Sequence, residues 1–137
     1  MLHVAERSAA LMPSDPDRRA RVTAWMFAAL NTIEPAIQHL AELDLFYPEE
    51  EWAKQRRPAT VEAAKARLTT LAGCLDGSDH LEGAFTAADL LMTTVLRIPR
   101  HTDLVAQIPV LEAYRLRCEA RPAFQKALSD QTAAFSP

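Results

Sequence analysis

Glycine is scarce in this chain of 137 residues. Its three glycines, Gly73, Gly77 and Gly83, fall in one eleven-residue stretch, where average usage of about 7% would supply roughly ten spread along the sequence. Glycine-rich phosphate loops and a series of tight hairpins are thereby excluded. Cysteine is equally sparse: Cys74 and Cys118 stand alone, without a companion at metal or redox spacing, so no disulfide framework is available and both are expected as buried thiols. No apolar run approaches the roughly 18 residues of a membrane span, and the opening MLHVAERSA carries charges where a signal peptide would be apolar. A soluble, cytoplasmic protein is expected. Fifteen Lys and Arg against eighteen Asp and Glu leave a net charge of -3, so a basic surface for nucleic acid is lacking.

What remains is rich in helix formers. Ala and Leu together supply 42 residues, while β-branched residues are few and never alternate as in a strand. Hydrophobic residues make up 49% and charged residues 24%, with no break in composition along the chain. The expectation is a single all-α domain over residues 1–137, a bundle of five to six helices.

Proline marks most of the helix boundaries. The opening segment, Leu2 to about Ala10, reads as the end of a helix without a capping residue, the tail (residues 1–12) of an element begun in a preceding half. Asp15, Pro16 and Asp17 open a long helix to about Leu45. Its stripe of Val22, Trp25, Met26, Ala29, Leu30, Ile33, Ile37, Leu40 and Leu43 steps by three and four, and Pro35 should kink it. Phe46 to Arg57 reads as a polar connection with Tyr47 and Trp52 as anchors, closed by Pro58, before a helix from Ala59 to Cys74 with Val61, Ala64, Leu68, Leu71 and Leu75 inward. Beyond Pro99 lies a charged loop. Pro109 then starts a helix with Leu111, Tyr114 and Cys118 on one face, and Phe124 and Leu128 pair in a last short helix.

The segment Phe85-Thr86-Ala87-Ala88-Asp89-Leu90 is the most informative. Thr86 and Asp89 have capping-box spacing, with Phe85 and Leu90 at the staple positions. The helix they open, AADLLMTTVLR, is apolar nearly all round and belongs at the domain centre. Asp89 is its one carboxylate, and amides of a buried first turn that water cannot reach need such an acceptor, so capping is preferred to catalysis.

His80-Leu81-Glu82-Gly83-Ala84-Phe85-Thr86-Ala87-Ala88-Asp89-Leu90 resembles the start of the central helix in the all-helical C-terminal domain of the cytosolic glutathione transferases. Leu11-Met12-Pro13, Asp15-Pro16 and Arg18-Arg19-Ala20 before a tryptophan-containing long helix resemble the same domain, as do Ile108-Pro109-Val110-Leu111 and Arg121-Pro122-Ala123-Phe124. The resemblance covers essentially the whole chain. It implies a partner thioredoxin-like N-terminal domain that holds glutathione as co-substrate, a homodimer or other self-association, and a small apolar electrophile bound against the long helix. The places of a glutathione-contacting histidine and lysine in the bacterial beta class are held here by Glu34 and Pro35.

By that resemblance the electrophile wall falls on Trp25, Met26, Ala29 and Leu30, with Asn31 and Glu34 as polar neighbours; the same spacing is also that of ordinary core residues. No catalytic residue is expected in this chain, and no metal site is expected from His3, His39, His80 and His101. Glu49-Glu50-Glu51 reads as a solvated charge run. A non-catalytic helical interaction module of the same fold is the alternative function.

Overall fold

A computed structural model describes residues 1–75 and 77–135. Among them the order is α1 (Leu2–Ala5), α2 (Pro16–Ala28), a π-helical turn (Ala29–Ile33), α3 (Glu34–Phe46), α4 (Glu51–Leu75), α5 (Ala87–Leu96), α6 (Pro109–Glu119) and α7 (Pro122–Ala133). The domain is all-helical, and α2 and α3 form one interrupted rod, which leaves six helices. Asp15 caps the rod, its Oδ1 accepting from the Arg18 amide at 2.8 Å, and Pro16 occupies the first turn.

The interruption takes a specific form. Pro35 cannot donate to the ladder, and the turn before it widens so that the Glu34 amide donates to the Ala29 carbonyl, five residues back. The buried stripe continues across this turn through Met26, Ala29, Ile33, Ile37, Leu40 and Leu43. Trp25 is half-buried, and Leu30, expected inward, is 44% exposed. It lies at the edge of the stripe, where the described residues cover it only in part.

Three further expectations need correction. The connection between α3 and α4 is not Phe46 to Arg57, because α4 begins at Glu51 and runs through Pro58. Proline withdraws one donor, and the Lys54 carbonyl it orphans is on an exposed residue within reach of water. Burial of Ala53, Thr60 and Ala64 on either side, and a two-pronged Arg57–Asp44 pair at 2.6 and 3.0 Å that ties α4 to α3, offset the loss. Cys74 is exposed, since it stands about 100° round the helix from buried Leu75; Cys118 is buried. The opening helix is also shorter than expected, ending at Ala5 and passing into turns in which the Arg7 and Ser8 amides reach back only three residues.

The main core gathers Ile33, Ile37 and Leu40 of the rod, Leu68 and Leu71 of α4, Met92 and Leu96 of α5, and Leu111 and Tyr114 of α6. A second, smaller core joins Ala5, Met12, Val22 and Met26 to Ala87 and Ala88 at the start of α5. Trp25 touches both. α5 lies at the centre, with seven of its ten residues buried, whereas α7 buries none. Phe124 and Leu128 of α7 are half-buried, and the Arg97 guanidinium lies 5.3 Å from the Phe124 ring.

Candidate functional site

The first turn of α5 is sealed by a carboxylate that is wholly buried. Asp89 Oδ2 accepts from the Thr86 amide at 2.8 Å and from the Thr86 hydroxyl at 3.1 Å. Its Oδ1 accepts from the Leu81 amide at 2.9 Å and from the Tyr114 hydroxyl at 3.0 Å. Thr86 Oγ1 in turn accepts from the Ala88 amide at 3.3 Å. The remaining donor of the first position is met from far away, for the Ala87 amide donates to the Leu11 carbonyl at 2.9 Å. Orphan amides at a buried helix start need such partners. The knot thus joins four segments: the chain around Leu11, the loop at Leu81, α5 and α6.

This geometry is structural in its chemistry. Burial, with the Asp89 charge adding to it, pushes the Tyr114 phenol far above its ordinary range, and burial likewise pushes the Cys118 thiol up. Neither is poised to lose a proton near neutral pH. The sequence shows the Thr86–Asp89 pair but not the Tyr114, Leu81 and Leu11 contacts, whose partners are distant along the chain.

An open apolar cleft of about 410 Å³ lies between α1, α2 and α5. Met26 and Phe27 of α2, Leu30 of the π turn, Leu91 of α5 and the side chains of Met1 and Leu2 line it, with Thr23 and His3 as its polar members. Phe27 is 59% exposed. Thr23 donates its hydroxyl proton to the Arg19 carbonyl, and the His3 ring is bonded to Arg7 at 2.9 Å, so both polar groups are already engaged and the cleft presents a mostly apolar wall.

Of the residues expected to bind an electrophile, Met26 and Leu30 meet in this cleft. Ala29 is fully buried in the main core and Trp25 packs between the two cores. Asn31 faces elsewhere, into a polar groove of about 730 Å³ between α3 and α4 with Thr32, His39, Arg56 and Arg67. Glu34 is half-buried beside the π turn and lines neither. Ala29, Leu30 and Asn31 all lie within the π turn, where successive residues point to different sides of the rod. Phe27, Thr23 and Leu91 are cleft residues that the stripe argument passes over, although an aromatic side chain on the polar side of a helix is a signal available in the sequence. Among the described residues no cluster of His, Cys, Asp or Glu is placed to hold a metal ion, and no helix is long and apolar enough to cross a membrane.

The same arrangement of helices occurs in solved proteins. A glutathione transferase from Burkholderia graminis, with two glutathione molecules bound per subunit, matches 93% of this chain with a TM-score of 0.83 at 24% identity. One from Pseudomonas putida, with glutathione disulfide bound, matches 93% at a TM-score of 0.79 and 22% identity. One from Xanthobacter autotrophicus matches 88% at 0.75 and 28% identity. The fold is that of the glutathione transferase C-terminal domain. The chain spans 56% of the Burkholderia graminis protein, 58% of the Pseudomonas putida protein and 60% of the Xanthobacter autotrophicus protein. No family model and no curated protein matches the sequence.

Proposed function

We propose that this chain is the electrophile-binding helical half of a glutathione transferase, completed by a thioredoxin-like domain that holds glutathione. The observation that carries the proposal is the open cleft over α2, where Phe27 and Leu30 stay in solvent beside Met26 and Leu91. Large apolar side chains left exposed around a concavity mark a place that something apolar occupies. The fold supports the reading, since similar proteins bind glutathione.

The division of labour follows from the chemistry. Conjugation needs a group that stabilises the thiolate of glutathione. Tyr114 is locked against Asp89 in the interior and Cys118 is buried, so thiol activation falls to the other domain. This half supplies the apolar wall that excludes water and holds the electrophile for attack. The exposed Met1, and Leu2 and Val4 of α1, extend the same apolar surface toward the completing domain, and a homodimer is proposed as the assembled form.

Retention on immobilised glutathione and conjugation of a chlorinated nitrobenzene, measured on this chain alone and on this chain fused behind a thioredoxin-like glutathione-binding domain, test the proposal. The chain alone should show neither, and the fused protein both. In the fused protein Phe27→Ser should raise the KM for the electrophile and leave that for glutathione unchanged. Conjugation by the chain alone overturns the division of labour, and a fused protein inactive towards electrophiles favours the non-catalytic interaction module.

A further inference from the structure

A second apolar surface lies at the opposite end of the rod, where α3 turns into α4. Leu45 and Tyr47 are exposed there, Phe46 is 72% exposed and Trp52 is 48% exposed. Phe46 is about 24 Å along the rod from Leu30, at 1.5 Å per residue, so this corner is separate from the cleft. Tyr47 and Trp52 are already fitted to each other, their ring centroids 5.1 Å apart and tilted by 53°. Tyr and Trp held in place in this way offer contact area at small entropic cost, and such residues dominate the energetics of protein interfaces.

The rim of the corner is acidic. Glu49, Glu50 and Glu51 stand between Tyr47 and Trp52 in the sequence. Lys54 answers Glu49 at 3.4 Å, and Glu51 accepts only from the neutral Gln55 side chain. Among the described residues no cation pairs with Glu50 or Glu51: Arg56 lines the groove between α3 and α4, and Arg57 is committed to Asp44. A second copy docked symmetrically would set these carboxylates against their own images, and an anionic lipid surface would be repelled in the same way. Cationic protein surface is the complement that remains.

We propose that the α3–α4 corner is a docking surface for a basic protein segment, one that lays an apolar anchor on Phe46, Tyr47 and Trp52 and presents Lys or Arg to Glu50 and Glu51. This goes beyond the transferase reading and does not depend on it. The test uses the full chain and an amphipathic helical peptide with Leu and Trp on one face and Lys on the other. Its Glu-for-Lys counterpart and vesicles of anionic lipid serve as the other probes. Binding is followed by titration calorimetry and by backbone amide NMR shifts.

The Lys peptide should bind and shift the amides of residues 45–52. Phe46→Ser with Trp52→Ala should weaken it by about tenfold, the effect of losing an aromatic anchor. Glu50→Gln with Glu51→Gln should weaken it at low salt while leaving the circular dichroism of the helices unchanged. Equal binding of the Glu peptide, shifts confined to other helices, unchanged affinity in both double variants, or preferential binding to anionic vesicles would each overturn the proposal.

Discussion

The start of α5 and the cleft over α2 lie close together in the fold, yet one is closed on itself and the other is left open. At the start of α5 the Leu81, Thr86, Ala87 and Ala88 amides and the Thr86 and Tyr114 hydroxyls all find acceptors within the chain, and Asp89 alone takes four hydrogen bonds from three segments. At the cleft, Phe27 and Leu30 keep much of their surface in water. The contrast separates two requirements. A buried polar group is costly unless satisfied, so it must be complete before anything binds. An exposed apolar wall costs little in the folded chain and releases its stabilisation only when a partner or ligand covers it.

The sharpest way to break the comparison is to open the closed side. Asp89→Ala leaves the buried Thr86 amide and Tyr114 hydroxyl unpaired and removes the acceptor of the Leu81 amide. A lost cap costs about 0.5 to 2 kcal/mol and each of the two unpaired buried groups about 1 to 3 kcal/mol, so a loss of roughly 3 to 8 kcal/mol is expected against a total of about 5 to 15. Chemical denaturation should show it, or the variant should be recovered as aggregate. Tyr114→Phe removes one donor and leaves Asp89 three, and about 1 to 2 kcal/mol is expected; Thr86→Ala should cost a similar amount. Asp79→Ala breaks only an exposed pair with Arg117 and should cost about 0 to 1 kcal/mol. An Asp89→Ala variant that melts with the parent protein would mean that the knot is not what closes α5.

Much of this contrast can be read from the sequence, and the limits of the reading have physical causes. Asp15-Pro16 and Thr86-x-x-Asp89 are legible because a helix start is satisfied within about one turn, so its chemistry is written in neighbouring residues. The Leu11 carbonyl and the Tyr114 hydroxyl reach α5 across the fold, and no local pattern reports them. Pro58 misleads for the opposite reason: its local cost is real, but burial on both sides and the Arg57–Asp44 pair outweigh it. Leu30 fits an inward stripe by period and lies at its edge in the structure, because periodicity identifies a face and does not say whether this chain or another molecule covers it.

The Arg57–Asp44 tie allows an intermediate effect, set by pH. The Arg57 guanidinium, and then the His101 ring at 3.1 Å, hold the Asp44 carboxyl below its ordinary value of 3.8. A lowered folded value means that the contribution is fully present above the unfolded value and is lost as pH falls through the folded one. Stability of the parent should therefore drop below about pH 4 by a step that Asp44→Asn does not show. Denaturation midpoints of the two proteins measured between neutral pH and pH 2 should converge at the acid end. Parallel curves over that range would remove Asp44 as the reason that α4 holds to α3 through Pro58.

The smallest effect on stability is expected on the open side, and there it carries the most information about function. Phe27→Ser with Leu30→Ser replaces two large side chains that are already 59% and 44% exposed, and substitutions of that kind away from a packed core usually lie within about 0.5 kcal/mol of the parent. The melting temperature should hardly move. Binding of an apolar dye and self-association at high concentration should both fall, because the variant withdraws exposed apolar surface. The two readouts must separate if the cleft is a binding wall. If the double variant instead unfolds as Asp89→Ala does, Phe27 and Leu30 belong to the core, and the contrast between a closed centre and an open wall fails; if it folds but binds dye as before, the exposed apolar surface lies elsewhere, with the α3–α4 corner at Phe46 and Trp52 the next place to measure.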